Sequence, residues 1–565
     1  MLETTLKTQF IPGTNLSGGL ARADWRFLLP QLRYDTFVCL GVPTAASLPA
    51  LASLGRVVLV VSPNHRVLST LQRESQKLNL KNVKIVVANF KALPFQNGRV
   101  DLMYHIKEKR EGDTWKIIFP EMARVLKTDG VIYFESRGFR PFFRRATMNG
   151  FTAAPPFWLT PFSGRMRTAL PFGDRDLASY FFTNVMFGKS FKKRLASSIG
   201  KSLSRMGLTD YLAPRRAGLM QHAQNGRGAE PFDYLIAMAE KAGLNVQGCR
   251  IGISMRGPGN SNKVIFYLFE QNRRQPRAVV KMTRDPEFNH RLENEYRMLS
   301  WLKEKRFVRA DSFPEPLFFD YHNELAVLGL SAVEGEPFRA RTSAKPDCPL
   351  ARDAINWLVE LGTRSVDKTS VSSKNVVSGL FYLFDSFNRL YQLSEPHQAF
   401  LAEQIRIISE RSHEFPVVVQ HGDPGTWNML ATKQDRVIVI DWEAGEPQGM
   451  PLWDLFYFLR TFASWIARQQ GRRDSFKNFY ESFLKSSPLR VLLHDSIARY
   501  CDQVGVAAEL VRPLFYTSWM HRALKEATRL TTDQLEGGHY VNLLRLTIDQ
   551  KSSVMMSKRG ANFVY

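Results

Sequence analysis

The chain has 565 residues, 44% of them hydrophobic and 12% aromatic, which is more than one core usually holds; two domains are expected, and a disordered or fibrous chain is excluded. A formal net charge of +24 points to acidic partners such as nucleotide, nucleic acid, acidic glycan or an anionic membrane surface, without choosing among them. Four scattered cysteines without a C-x-x-C pair, an N-terminus without a basic-then-apolar signal pattern and the lack of any apolar run of about 18 residues point to a reducing, cytoplasmic setting.

Residues 36–40, 56–61, 83–87, 100–104 and 130–135 read as short β-branched strands, with helices near residue 49 and over 63–78 and 114–126. The alternation predicts a parallel sheet covered by helices on both faces. Within it, LPFQNGRVDLMYH and EMARVLKTDGVIYFESR resemble regions of class I S-adenosylmethionine-dependent methyltransferases. Residues 1–139 are therefore expected to form an α/β Rossmann-like domain of methyltransferase type. The resemblance also implies where cofactor contacts should lie. The turn after the first strand, LGVPTAASLPA, keeps only Gly41 of a glycine-rich loop; the acidic position closing the second strand falls on Ser62 or Asn64; and Asn89 stands where a later Asp is expected. Three departures at contact positions argue against tight S-adenosylmethionine binding.

From residue 140 to 216 this rhythm stops, and fourteen basic residues stand against three acidic ones, a net of +11. Aromatics are interleaved, as in FRPFFRR and YFFTNVMFGKSFKKR, and a helix over 190–206 would place Phe191, Leu195, Ile199 and Leu203 on one stripe. Three readings compete. The aromatics pack into the core beneath a solvated basic face; or the stretch meets an anionic membrane surface or a lipid-linked glycan, placing the protein at the inner membrane face; or it binds nucleic acid, against which the lack of a reader motif argues. Residues 221–230 read as a linker, so 140–230 are taken as a basic, aromatic-rich insert and linker.

Residues 231–340 are expected to form a small antiparallel lobe ending in a hinge. A helix over 231–243 leads into a strand over 246–255, and RGPGNSNKVIFYLFE then supplies Gly257 and Gly259 in a turn able to offer backbone N–H groups to phosphate. The strand AVVKM carries Lys281, and the helix RLENEYRMLSWLKEK carries Glu293 and Glu295, with Leu292, Tyr296 and Leu299 marking its apolar stripe. LAVLGLSAVEGEPF follows as strand and hinge. Residues 341–565 read as mainly helical, with helices over 350–363, 376–391 and 398–411 leading to the densest set of reactive groups in the chain.

That set lies in VVVQHGDPGTWNMLATKQDRVIVIDWE, at residues 417–443. Two short apolar strands, 417–420 and 437–440, flank a turn set by Gly422, Pro424 and Gly425. Asp423, Asn428 five residues on, and Asp441 closing the second strand could converge on one point, a geometry suited to a Mg-nucleotide. The run resembles the catalytic core of the aminoglycoside phosphotransferase and choline kinase family, small-molecule relatives of protein kinases, in the order and spacing of H-x-D-x-x-x-x-N and the following strand-end Asp. An α+β two-lobed, protein-kinase-like fold is thereby implied. The resemblance implies Asp423 as catalytic base, Asn428 and Asp441 as Mg2+ ligands, Gly257, Gly259 and Lys281 as contacts to the ATP phosphates, and Glu295, rather than Glu293, as the partner of Lys281. It also implies that Asp454 in PLWDL hydrogen-bonds backbone of the catalytic loop. The chain thus reads as an ATP-dependent phosphotransferase acting on a hydroxyl of a small polar acceptor, best matched by a sugar or glycan precursor. Two alternatives stand beside it: a bifunctional methyltransferase-kinase, and a catalytically silent scaffold.

Overall fold

The computed structural model describes residues 21–106, 115–136, 150–161, 164–186, 191–207, 215–222, 230–255, 262–413 and 415–554. The chain divides into two compact units: one runs to Leu292 and resumes over Leu317–Ala332, and the other comprises Glu293–Pro316 and everything from Val333 on.

The first unit is built on a single 14-stranded sheet. Its parallel half contains β1 (Tyr34–Leu40), β2 (Gly55–Ser62), β3 (Val83–Val87), β4 (Val100–His105) and β5 (Leu126–Ser136) in the order β3-β2-β1-β4-β5. The connections include helices α1 (His65–Lys77) and α2 (Trp115–Val125). Near-continuous Val, Leu and Ile in β2 suit strands buried on both faces. The five expected strands and their helices are all present, within a few residues at each end.

The sheet continues past β5. Strands β6 (Phe151–Ala153), β7 (Phe157–Thr160), β8 (Thr168–Pro171) and β9 (Arg216–His222) come from the basic stretch, with β9 antiparallel to β5. Next to β8 lies β10 (Arg250–Ser254), followed by β11 (Lys263–Phe269), β12 (Ala278–Thr283), β14 (Leu325–Ser331) and β13 (Pro316–His322), the antiparallel lobe. Boundaries drawn at 139/140 and 230/231 on the sequence therefore cut across one sheet. One core cluster runs through both halves and includes Trp25, Phe37, Tyr133, Leu159, Phe266, Val280 and Val327.

The helix expected over 190–206 forms as α3 (Phe191–Arg205), and α4 (Asp233–Lys241) matches the helix before the lobe. Among the α3 positions whose burial is described, the packing face differs from the expected stripe. Ser204 is buried and an added Cβ at Gly200 would lie 2.5 Å from the Phe182 ring, whereas Ile199 is 50% exposed. Small residues win the close approach, and the branched residue is turned outward.

The division falls within helix α5 (Asn289–Lys305). The second unit is mainly helical, with α6 (Pro349–Ser365), α7 (Ser370–Leu390), α8 (Glu395–Glu410), α9 (Trp453–Gln469), α10 (Pro488–Val504), α11 (Ala508–Ala527) and α12 (His539–Asp549). Two small sheets interrupt the helices: β15 (Glu336–Pro337), β17 (Met429–Ala431) and β18 (Val437–Val439) form one, and β16 (Val418–Gln420) with β19 (Glu446–Gly449) the other. The two strands expected to flank the turn at Gly422–Gly425 thus pair with other partners, β16 with β19 and β18 with β17. Helix α9 is buried on nearly every side, and no helix among the described residues is long and apolar enough to cross a membrane.

Candidate active site

In the helical unit the hairpin β17–β18 sets the geometry. Met429 lies opposite Val439, and the Ile440 N–H donates to the Asn428 carbonyl at 2.9 Å, so Asn428 and Asp441 emerge together at the open end of the hairpin. Asp441 adopts φ 72°, left-handed backbone that Asp tolerates better than most side chains. The Asn428 amide nitrogen donates to the Asp423 carbonyl at 2.9 Å and to its Oδ2 at 3.1 Å. With that nitrogen committed, the amide oxygen is what Asn428 can offer a cation.

The loop bearing Asp423 is fixed from beneath. Asp454, on the first turn of α9, accepts the His421 N–H at 2.6 Å and the Gly422 N–H at 3.1 Å, the backbone role expected of it. Burial raises the Asp454 carboxyl, and the two N–H groups oppose this. His421 has no exposed surface. Its Nδ1 accepts the Asp423 N–H at 3.2 Å, so Nε2 carries the proton and donates to the Ile440 carbonyl at 3.0 Å. Burial depresses the imidazole below its ordinary range, keeping it neutral in that tautomer. Gly422 is required here: its φ is +75° and an added Cβ would lie 2.1 Å from the Ala444 carbonyl oxygen.

Three residues the sequence had not singled out surround Asp423. Arg522 on α11 donates to its Oδ1 at 2.8 Å and to the Gly422 carbonyl at 2.7 Å, while Lys525, one turn on, reaches the same carbonyl at 3.3 Å. The Trp427 indole N–H lies 3.4 Å from Oδ2. The Asp423 side chain nevertheless stays 24% exposed, and each oxygen has lone pairs to spare. The signal for Arg522 and Lys525 was present in the sequence as two cations spaced one turn apart on a helix otherwise buried almost all round.

Glu295 is fully buried and Glu293 exposed, and a Glu295 oxygen accepts the Trp442 N–H at 3.3 Å, just past Asp441. Leu292 and Leu299 are buried as expected of the apolar stripe of α5, and Met298 and Leu302 complete that face, whereas Tyr296, also expected on it, is 36% exposed. Glu295 occupies the inward position that the stripe had assigned to Tyr296. In the sheet unit, Lys281 sits on β12 between Ile265 of β11 and Leu328 of β14, 7% exposed. Gly257 and Gly259 lie outside the described residues.

The donor set fits a Mg-nucleotide. Among the described residues no cluster of three or more His, Cys, Asp or Glu side chains forms a closed metal cage. An amide oxygen and a carboxylate at one hairpin end are what Mg2+ takes when nucleotide phosphates complete its shell. In the methyltransferase-type half, the positions at which the resemblance places S-adenosylmethionine contacts make local bonds. The Ser62 hydroxyl accepts the Asn64 N–H, the Asn64 side chain caps α1 through the Val67 N–H at 3.4 Å, and Asn89 accepts the Lys91 N–H at 3.0 Å. All three positions are spent on local turns, and none offers a carboxylate to ribose hydroxyls. Gly41 is explained by the sheet itself, since an added Cβ would lie 2.8 Å from the Ile106 carbonyl oxygen.

Comparison with known proteins follows the same division. Residues 256–483 match the model of a phosphotransferase enzyme family, and residues 38–134 match that of a methyltransferase domain. Among solved structures, an aminoglycoside phosphotransferase from Streptomyces rimosus, in complex with ADP and streptomycin, is 16% identical; the match covers 52% of this chain and 97% of that one, with a TM-score of 0.31. An S-adenosylmethionine-dependent methyltransferase from Aquifex aeolicus is 15% identical over 25% of this chain and 90% of its own, with a TM-score of 0.20. Geranyl diphosphate C-methyltransferase from Streptomyces coelicolor is 17% identical over 35% and 76%, with a TM-score of 0.23. Among curated proteins no match is found. In order along the chain, one segment matches a methyltransferase domain and the next matches the phosphotransferase enzyme family, whose match supports a small-molecule kinase.

Proposed function

We propose that the protein transfers the γ-phosphoryl group of ATP to a hydroxyl of a small polar acceptor, a sugar or glycan precursor, with Asp423 as the base. One observation carries this reading: Asp423 alone in its loop keeps an accessible carboxylate, while every group around it is fixed. His421 is locked neutral, Asp454 holds the loop backbone, and Arg522, Asn428 and Trp427 orient the two oxygens. A carboxylate held in this way positions the acceptor hydroxyl and takes its proton as the new bond forms. Asn428 and Asp441 would hold Mg2+, and Lys281 would contact the nucleotide phosphates. Bound Mg-ATP supplies the phosphoryl donor and neutralises the charge on its oxygens. Glu295 steadies the Asp441–Trp442 segment through the Trp442 N–H.

The test is phosphoryl transfer from radiolabelled ATP to a panel of sugars by the whole chain, beside Asp423→Asn. The variant is expected to lose transfer by about a hundred- to ten-thousand-fold while still binding Mg-ATP. Equal transfer by Asp423→Asn would remove Asp423 as the base.

A further inference from the structure

We propose that the acceptor is an anion, held through a carboxylate or phosphate group by a cationic, aromatic-walled subsite in which Arg339 and Arg460 stand beside Asp423. The proposal rests on the kinase reading of Asp423 and adds the charge class of the acceptor.

Two paths of contact lead from Asp423 to this subsite. Along the first, the Trp427 indole nitrogen lies 3.4 Å from Asp423, the ring is 45% exposed, and the Arg339 guanidinium sits 5.3 Å from it. Along the second, Arg522, paired with Asp423, stacks 3.3 Å over Tyr457 and lies 5.7 Å from the Tyr540 ring; Arg460 lies 5.0 Å from that same ring. Trp427 and Tyr457 are 6.0 Å apart, and the Tyr540 hydroxyl donates to that of Tyr457 at 3.3 Å, which closes the wall.

The charge in this wall is unbalanced. Among the described residues, Arg522 pairs with Asp423, whereas Arg339 bonds the Thr426 hydroxyl at 2.8 Å and Arg460 bonds the Tyr540 hydroxyl at 3.2 Å and the His539 ring; neither pairs with a carboxylate. The Arg460 Nε is buried and has no partner among the described residues. Burial together with Arg468 and Arg460 lowers Arg339 to about 10, and burial with Arg460 and Arg468 drives His539 down to about 4, as expected where like charges crowd. Elsewhere in this unit some arginines find acids, as in Arg472–Glu481 and Arg545–Glu536, and others bond backbone carbonyls, as Arg490 does with Leu484 and Arg512 with Lys551, whereas Arg339 and Arg460 bond only hydroxyls and the His539 ring among the described residues. Half-buried guanidiniums that lack acids are costly unless a ligand supplies the charge, and their planar forks match carboxylate and phosphate. Trp427 offers a flat apolar face to the body of such a substrate.

The test titrates the full chain by calorimetry, with and without saturating Mg-ADP, using glucuronate, glucose phosphate, glucose and glucosamine. At least one anion is expected to bind about tenfold or more tightly than glucose and glucosamine, as charge-assisted bonds to arginine imply. Arg339→Gln and Arg460→Gln should each weaken it by about tenfold with Mg-ATP binding unchanged. Glucuronate and glucose phosphate distinguish a carboxylate from a phosphate. The proposal is overturned if neither anion binds, if glucose or glucosamine binds as tightly, if anion binding survives in both variants, or if Mg-ATP binding falls in parallel, which would give the arginines to the nucleotide. Failure of the wild-type chain to bind Mg-ATP would sink the kinase reading instead, and the anion titration would still decide this one.

Discussion

Asp423 is pinned by Arg522 on one oxygen and by Asn428 and Trp427 on the other, while His421 beneath it is buried and neutral. Neutral buried histidines give this unit a pH signature, since burial also lowers His521 and His539. A His whose folded pKa lies below the unfolded value of about 6.5 takes up protons in the unfolded chain first, so stability is lost as pH falls through that value toward the folded one. For His539 the window runs down to about 4. The melting-temperature gap between wild type and His539→Asn is therefore expected to shrink on going from neutral pH into that window; a gap that stays constant would contradict a neutral His539. Burial raises the carboxyls of Asp454 and Glu446, which act in the opposite sense, and comparison with the variant isolates the histidine. Asp423, Asn428 and Asp441 were legible because they lie close in sequence, where spacing alone constrains geometry. Arg522, 99 residues from Asp423, and Arg339, 87 residues from Thr426, were not, since only the packed tertiary structure brings them to the loop.

At the scale of elements, the ends of the segment carrying Gly257 and Gly259 are tied down by arginines from distant parts of the sheet unit. The Met255 carbonyl accepts from Arg284 at 3.2 Å and from Arg165 at 3.3 Å, and the Arg284 N–H donates to the Asn262 carbonyl at 2.8 Å. Arg26 bonds the Arg284 carbonyl, and Asp24 grips the Arg284 fork at 2.7 and 2.8 Å. Exposed ion pairs are worth little, about 0–1 kcal/mol, but this one is 2% and 0% exposed, and removing one partner of such a pair costs about 3–5 kcal/mol. Asp24→Asn is expected to destabilise the chain in denaturant by an amount of that order and to weaken nucleotide binding; loss of less than about 1 kcal/mol, as for an exposed pair, would contradict the role assigned to Asp24. Nothing in the sequence pointed to this clamp, because an Asp in RADWRF looks like any surface acid. Likewise β17 escaped notice, being too short to show a period, although its partner β18 was legible as a β-branched run.

On the scale of the molecule, the methyltransferase-type strands and the kinase-lobe strands belong to one sheet with a shared core. The parallel half was legible because helix–strand alternation is a local signal. The join was not: β5 pairs with β9, and β8 with β10, through long intervening segments, and periodicity says nothing about partners. The basic stretch between them, apart from its charge, supplies strands that complete the sheet. The methyltransferase-type strands, hydrogen-bonded into the sheet that continues as the antiparallel lobe, are expected to act as the structural base of that lobe. The most direct measurement is calorimetric titration of Mg-ATP into the whole chain and into Asp441→Asn, a change that the left-handed backbone at this position tolerates. Magnesium-dependent ATP binding that weakens about tenfold or more in the variant, as loss of a charged metal ligand implies, is the predicted result. No binding to the wild type, or equal binding to both without need of magnesium, would contradict a kinase centred on Asp423, Asn428 and Asp441.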